Sequence, residues 1–475
     1  MLAACGAAAA SLVLTDRRAR LVAMAVALGV APVLVLGNVW DEPRVVDFRA
    51  SSTQVGAALV VGMAGVAALV AAFRRWSQLF AITAFAVLAL RVPVEIGDET
   101  ANLLVPLYLV IAAGLLTQAL AERRAPSAER RDHRSPWLRR LLAVTLVLYA
   151  LQATYSEDVP NAIENLGFFL VPFAVLFALL LDVGWSRELL RRVLIAVAAV
   201  AGGCALIGIY QYFARDLFLN PELFDANQLH VYFRVNSIFF DPNIFARYLA
   251  LAITALAACI AWGGSRRDLG LAGAISALAL VALAFSYSIT GLAAVLAGLG
   301  IIAILRWRWR GAAAFAVLGL AGLVALAIAG GTPTSDIQDY RSIDSGHADL
   351  IEGGLELAED RPLGGWGSGS FGRAFYDRIE RARTTVSHSE PITVAAEQGA
   401  IGLAVYAALL VVALITVLGA GAGASLARTA VAACFVSMLV SSFGYTGFVI
   451  DPAVWALLAL GVALRPGPPG LSATI

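Results

Sequence analysis

The chain has 475 residues, 60% of them hydrophobic and only 14% charged, with a mean hydropathy of +0.81. That balance excludes a single soluble globular domain, which needs a polar surface, and a net charge of +1 argues against nucleic acid as a partner. All 34 basic residues are arginine, and Cys5, Cys204, Cys259 and Cys434 lie in separate apolar segments without paired spacing, so neither a disulfide framework nor a cysteine metal site is indicated.

Taken in chain order, Leu2-Ala3-Ala4-Cys5 has the look of a lipid-attachment box. No basic and apolar leader precedes it, so lipidation is not expected. Apolar runs of membrane-spanning length then follow. They predict fourteen spans, at about 20–38, 54–73, 77–94, 101–120, 137–154, 162–181, 192–213, 242–263, 268–286, 288–305, 311–330, 391–418, 427–443 and 449–464. The splits near residues 287 and 446 are the least marked. Arginines crowd alternate gaps (Arg17-Arg18, Arg74-Arg75, Arg123–Arg140, Arg187–Arg192, Arg266-Arg267, Arg306–Arg310, Arg428 and Arg465), and acids crowd the others. The positive-inside rule puts the arginine-rich gaps and both termini in the cytoplasm. The arginine-rich stretches at 123–140 and 306–310 then read as contacts to anionic membrane lipids and as topology signals, not as substrate sites.

Two outward gaps are long, 214–241 and 331–390. The second predicts short helices at Asp349–Asp360 and at Phe371–Arg383, where Phe371, Phe375 and Ile379 share a face. Between them Pro362–Ser370 is rich in glycine and turn-forming. A patterned long loop of this kind points to function. The chain divides into N-terminal helices over 1–213, a region over 214–464 that carries the long loop, and a tail over 465–475.

The sharpest local signal is the stretch from Arg234 to Arg247. Asp241 is a good N-cap and Pro242 a good first helical residue, so a span begins there. Free N–H groups at that helix start, with Arg234 outside it and Asn243 and Arg247 four apart on one face, would make an anion pocket. The bland alternative pairs Arg247 with a carboxylate and leaves Arg234 an ordinary loop charge. A second signal is Ser387-His388-Ser389-Glu390-Pro391 at the mouth of the twelfth span. His388 there suits a general base toward a hydroxyl, or a solvated capping histidine. Glu397, two turns into that span, would orient an arginine or the histidine, or sit as a buried structural carboxylate paired with an arginine. His230, His347 and His388 lack ligand spacing, so no metal is expected. The Glu157-Asp158 pair reads chiefly as a solvated loop end. The stretch Gly364–Gly369 lacks the ending of a phosphate-binding P-loop.

From Arg234 to about Ser441 the arrangement resembles the O-antigen ligase and polymerase superfamily. The resemblance rests on Arg234 before Phe240-Asp241-Pro242-Asn243, on Pro362-Leu-Gly-Gly-Trp-Gly-Ser-Gly-Ser-Phe371 closing a large loop, and on His388 before Glu397-Gln-Gly-Ala-Ile-Gly402. It implies an all-α, GT-C-like bundle in the bacterial inner membrane with its active site on the external face. It further implies a metal-independent, inverting glycosyltransferase without cofactors. The donor would be a glycan on undecaprenyl pyrophosphate, and the acceptor a hydroxyl of a lipid, glycan or protein. Carried over, Arg234 holds the pyrophosphate and His388 activates the acceptor. Arginine suits that task because its planar fork keeps its charge and meets phosphate oxygens bidentately. Two positions depart from the pattern: Ile289 and His347 stand where arginines are expected. Arg247, Arg341 and Arg373 are the candidates for a second pyrophosphate arginine, with Asn243 beside them and Asp241, Glu397 and His347 in support. A transporter or flippase of lipid-linked glycans is the rival reading. It requires internal repeats and charges midway through spans, which the sequence does not display.

Overall fold

The computed structural model describes residues 1–96, 99–121, 135–218, 223–224, 227–228, 232–329, 347–379, 387–419 and 421–465. The fold is a helix bundle. Among the described residues its one departure is an antiparallel hairpin, Val92–Ile96 paired with Glu99–Leu103. The hairpin cuts short the spans expected at 77–94 and 101–120. Pro93 lacks the N–H a helix interior needs, and β-branched residues around it favour a pleated strand.

Among the described residues nine helices are long and apolar enough to cross a membrane, and the shorter apolar helices Leu2–Val13, Gln78–Ala89, Val105–Leu120 and Pro452–Ala463 accompany them. By length alone, then, the expected fourteen is not reached. Three of the expected spans are these short helices, and Pro136–Gln152 fills a fourth with only 17 residues. Residues 288–305 and 311–330 form one assigned helix, Ile289–Ala329, broken at Arg308 where φ is +54°. The helix Leu2–Val13 was not expected. It buries Cys5, Ala8 and Leu12 against the helices that follow.

Helix starts follow the caps in the sequence. Asp16, Asp158, Asp241 and Asp451 each accept a backbone N–H from the first turn of the helix they precede, and proline stands at the start of the last three. Helix ends sort into two groups. At one, Arg20 pairs with Asp182 at 2.5 Å, Arg465 donates to Ser135 Oγ at 2.6 Å, and Arg428 donates to the Leu464 carbonyl at 3.1 Å. At the other, Asn38 meets Glu164, Arg361 meets Glu157, and Arg247 meets Asp451.

The long segment before Glu390–Leu418 and the start of that helix share a small core, Leu357, Trp366, Phe371, Ala374, Phe375 and Ala396. Helices His347–Asp360 and Phe371–Ile379 bracket the glycine-rich loop. That loop lies on a break in Glu390–Leu418, where Gly399 has φ +63° and ψ −165°. Across the break Trp366 N–H donates to the Ala396 carbonyl (3.0 Å), Gly367 N–H to the Glu397 carbonyl (2.8 Å), and Ala400 N–H to the Pro362 carbonyl (2.7 Å). Arg361 and Arg378 cover the two flanks of this joint, stacking on Trp366 at 3.8 and 4.8 Å.

Candidate functional site

Arg234 is placed by its own backbone first. Asn227 accepts the Arg234 N–H and donates to its carbonyl, both at 3.0 Å, and the next N–H, of Val235, reaches the Phe285 carbonyl at 3.2 Å. The guanidinium then donates through Nε to the Ser286 carbonyl (3.0 Å) and through Nη2 to Asn243 Oδ1 (3.4 Å). Ser288 Oγ donates to the same Asn243 oxygen at 2.8 Å and accepts the Gly291 N–H, which caps the helix from Ile289. Arg234, Asn243 and the 286–288 turn are therefore one web at the start of two helices.

His388 is presented by its neighbours. Ser387 Oγ donates to the Ser389 carbonyl (2.7 Å), accepts the Ser389 N–H (3.1 Å) and lies 2.9 Å from Thr393 Oγ1. This knot forces His388 to φ +60°, a region uncommon for a side-chain-bearing residue. Such conformations cost energy and tend to sit at functional sites.

The segment 445–451 joins the two halves. Arg247 is buried and donates to the carbonyls of Tyr445, Thr446 and Gly447, and to Asp451 at 3.5 Å. From the other side Glu390 accepts the N–H groups of Gly447 (2.6 Å) and Phe448 (3.1 Å). The Tyr445 ring lies against His388 with centroids 5.6 Å apart, and its hydroxyl is near enough to Asp241 to feel that charge. Burial, and then the Asp241 charge, push the Tyr445 hydroxyl well above its ordinary pKa, so it stays protonated. Arg234, Asn243 and Asp241 thus gather on one side, and Tyr445 and His388 on the other.

Other expected residues fall elsewhere. Arg247 is spent on carbonyls and Asp451, as the bland alternative had it, so it fastens the 445–451 segment. Glu397 touches neither an arginine nor the histidine through the bonds it accepts. It takes the N–H groups of Gly369 (2.8 Å) and Phe371 (3.2 Å), and so caps the helix after the glycine-rich loop. Arg373 is exposed and pairs with Asp377 along its own helix. Arg341 lies outside the described residues, as does His230. His347 is the first residue of its helix. Glu157 pairs with Arg361 at 2.8 Å and Asp158 caps a helix, so both acids have structural work. Among the described residues no group of three or more histidines, cysteines or acids is placed to hold a metal.

Sequence reasoning missed Arg91, Glu390, Tyr445 and Asp451. A charge inside a predicted span was the available signal for Arg91 and Asp451. Arg91 lies just after the Gln78–Ala89 helix, close enough to feel the charges of Asp451 and Arg247. With them it lines a crevice of about 1850 Å³ that runs down between Arg187–Ala214, Pro242–Trp262, Leu426–Gly444 and Pro452–Ala463.

Among known proteins, no curated sequence matches the chain. A family model described as O-antigen ligase matches residues 274–407, which take in the 286–289 turn, the glycine-rich loop, His388 and Glu397. Over that stretch the chain is similar to O-antigen ligases, and the described residues around it include nine helices long and apolar enough to cross a membrane.

Proposed function

We propose that this chain transfers a glycan from undecaprenyl pyrophosphate to an acceptor hydroxyl, as a ligase or polymerase, at the external face of the bacterial inner membrane. The observation that carries the reading is the cluster that gathers Arg234, Asn243 and Asp241 on one side and Tyr445 and His388 on the other, with the Asp241 charge acting on the Tyr445 hydroxyl. It joins the one arginine and the one histidine whose chemistry the step needs, from segments far apart in the sequence.

In this reading His388 takes the proton of the acceptor hydroxyl, whose oxygen attacks the anomeric carbon. The bond from that carbon to the pyrophosphate oxygen breaks, and both electrons leave with the lipid pyrophosphate. Arg234 sits where that charge grows and stabilises it, so the step needs no metal. A single displacement inverts the anomeric centre. Helix starts at Pro242, Ile289, Glu390 and Pro452 gather at the same end and add positive dipole ends there. Asp241, Glu390 and Asp451 offset part of that field because each is bound to backbone N–H groups.

The test uses purified protein in nanodiscs with an undecaprenyl-pyrophosphate-linked glycan, a panel of acceptors, and EDTA. Transfer that survives EDTA and is lost in both Arg234→Ala and His388→Ala supports the proposal, and the acceptor that works separates ligase from polymerase. Movement of the lipid-linked glycan across liposomes with no transfer to any acceptor would replace it with the flippase.

A further inference from the structure

The superfamily pattern leaves one anion-binding arginine unaccounted for. Its expected place is Ile289, whose side chain is 82% exposed and apolar. Arg247 is occupied by three carbonyls and Asp451, and Arg373 by Asp377. Arg91 is different. It comes from outside the matched stretch 274–407, yet the fold brings it beside Arg247, Asp451, Tyr108 and Tyr445. Its Nε is buried without an acceptor, as is that of Arg247, but Arg91 has no other hydrogen bond or ion pair among the described residues to hold its guanidinium. A buried guanidinium nitrogen without an acceptor is costly, and an anion would remove the cost.

Below Arg91 the crevice wall turns apolar, with Leu88, Val197, Leu251, Ala255 and Leu457 along it. From Arg247 to Trp262 the helix rises about 22 Å, and the crevice follows it that far. Arginines return only at the opposite end, where Arg187, Arg267 and Arg428 line it. A charged mouth above a long apolar slot fits an anionic head on an aliphatic chain.

We infer that Arg91 is a second anion-binding residue of this site, holding phosphate of a polyprenyl-linked substrate whose chain lies in the crevice below. The inference rests on the transferase reading and extends it to a residue of the N-terminal helices. Asp451 faces the same mouth, but one of its oxygens accepts the Ala453 N–H and the other faces Arg247, which leaves Arg91 the cation open to a ligand. In the transfer step Arg91 is a binding residue for the leaving pyrophosphate.

Binding is measured without turnover, on the full chain in nanodiscs, with farnesyl pyrophosphate, inorganic pyrophosphate and phosphatidylglycerol as separate probes. Arg91→Gln is expected to weaken farnesyl pyrophosphate by about tenfold or more, the loss of one charge-assisted contact, with Arg91→Lys recovering part of it. Ala255→Trp, midway down the slot, is expected to weaken farnesyl pyrophosphate and leave inorganic pyrophosphate unchanged. Unaltered farnesyl pyrophosphate binding by a folded Arg91→Gln variant would overturn the inference, as would wild-type binding by Ala255→Trp. Tighter binding of phosphatidylglycerol than of farnesyl pyrophosphate, lost in Arg91→Gln, would also overturn it by making the occupant a membrane lipid. If Arg91-dependent binding is found but no acceptor receives glycan, the site stands and the transferase reading fails. Transfer by wild type with Arg91→Gln binding normally gives the converse.

Discussion

The joint between the glycine-rich loop and the broken helix allows a sharp prediction at Gly399. Its φ of +63° and ψ of −165° lie in a region that side-chain-bearing residues avoid, at a cost of about 1–3 kcal/mol. A Cβ there would also lie 2.3 Å from the Leu363 carbonyl oxygen and 2.7 Å from the Gly365 nitrogen. Both are backbone atoms that cannot rotate away. Relief requires the loop to lift, which breaks the bonds from Ala400 N–H to Pro362 (2.7 Å) and from Trp366 N–H to Ala396 (3.0 Å). With about 1 kcal/mol net for each bond, the total comes to about 3–5 kcal/mol. The rest of the Glu390–Leu418 helix is held by core contacts, so that cost falls on the loop. Gly399→Ala is therefore expected to raise amide exchange over 361–371 by about a hundredfold or more at 25 °C. The helices around it should keep their protection, and transfer activity should fall. Gly203→Ala is the control: it lies within the Arg187–Ala214 helix with open space around its Cβ position, so it should be neutral or mildly stabilising. Wild-type exchange at 361–371 in Gly399→Ala would refute the interlock.

His388→Ala is expected to lower the transfer rate by about 10²- to 10⁴-fold, the usual loss for a general base, with donor binding little changed. A drop in donor affinity with an unchanged rate at saturation would assign His388 to binding instead. Asp182→Asn leaves Arg20 buried without its counter-charge and should cost about 3–5 kcal/mol, seen as a lower melting temperature in detergent, whereas an unchanged melt would mean water reaches that pair. Glu390→Ala strands the N–H groups of Gly447 and Phe448 and should destabilise the 445–451 segment by about 2–4 kcal/mol, measured by local exchange; protection equal to wild type there would contradict it. EDTA treatment should leave the rate unchanged, and rescue by an added divalent ion after EDTA would count against an arginine-only mechanism.

Much of the membrane architecture was legible from local chemistry. Long apolar runs announce helices because a bilayer leaves the backbone no other partner, and Asp241-Pro242 marks a helix start because the cap and the fixed φ act within one turn. Arg234, Asn243 and His388 could be singled out for the same reason: each stands at a predicted span mouth, where a charge or a histidine has a cause to be. Other features depend on partners far along the chain. Gly399 reads as a packing glycine until Leu363 and Gly365 are seen lying on it. Glu397 reads as a partner for an arginine, and only the docked loop shows that it caps Gly369 and Phe371. Arg247 and Arg91 both look like arginines buried in apolar runs. Both line the crevice, and the fold separates them because carbonyls of 445–447 close around the first while the second has no hydrogen bond among the described residues. Periodicity gives a helix its apolar face but not the neighbour that meets it. The sequence by itself therefore determined a bundle of apolar helices, some of their starts and the residue types at the mouth, and tertiary packing decided which apolar runs reach membrane-spanning length and which of those residues share a site.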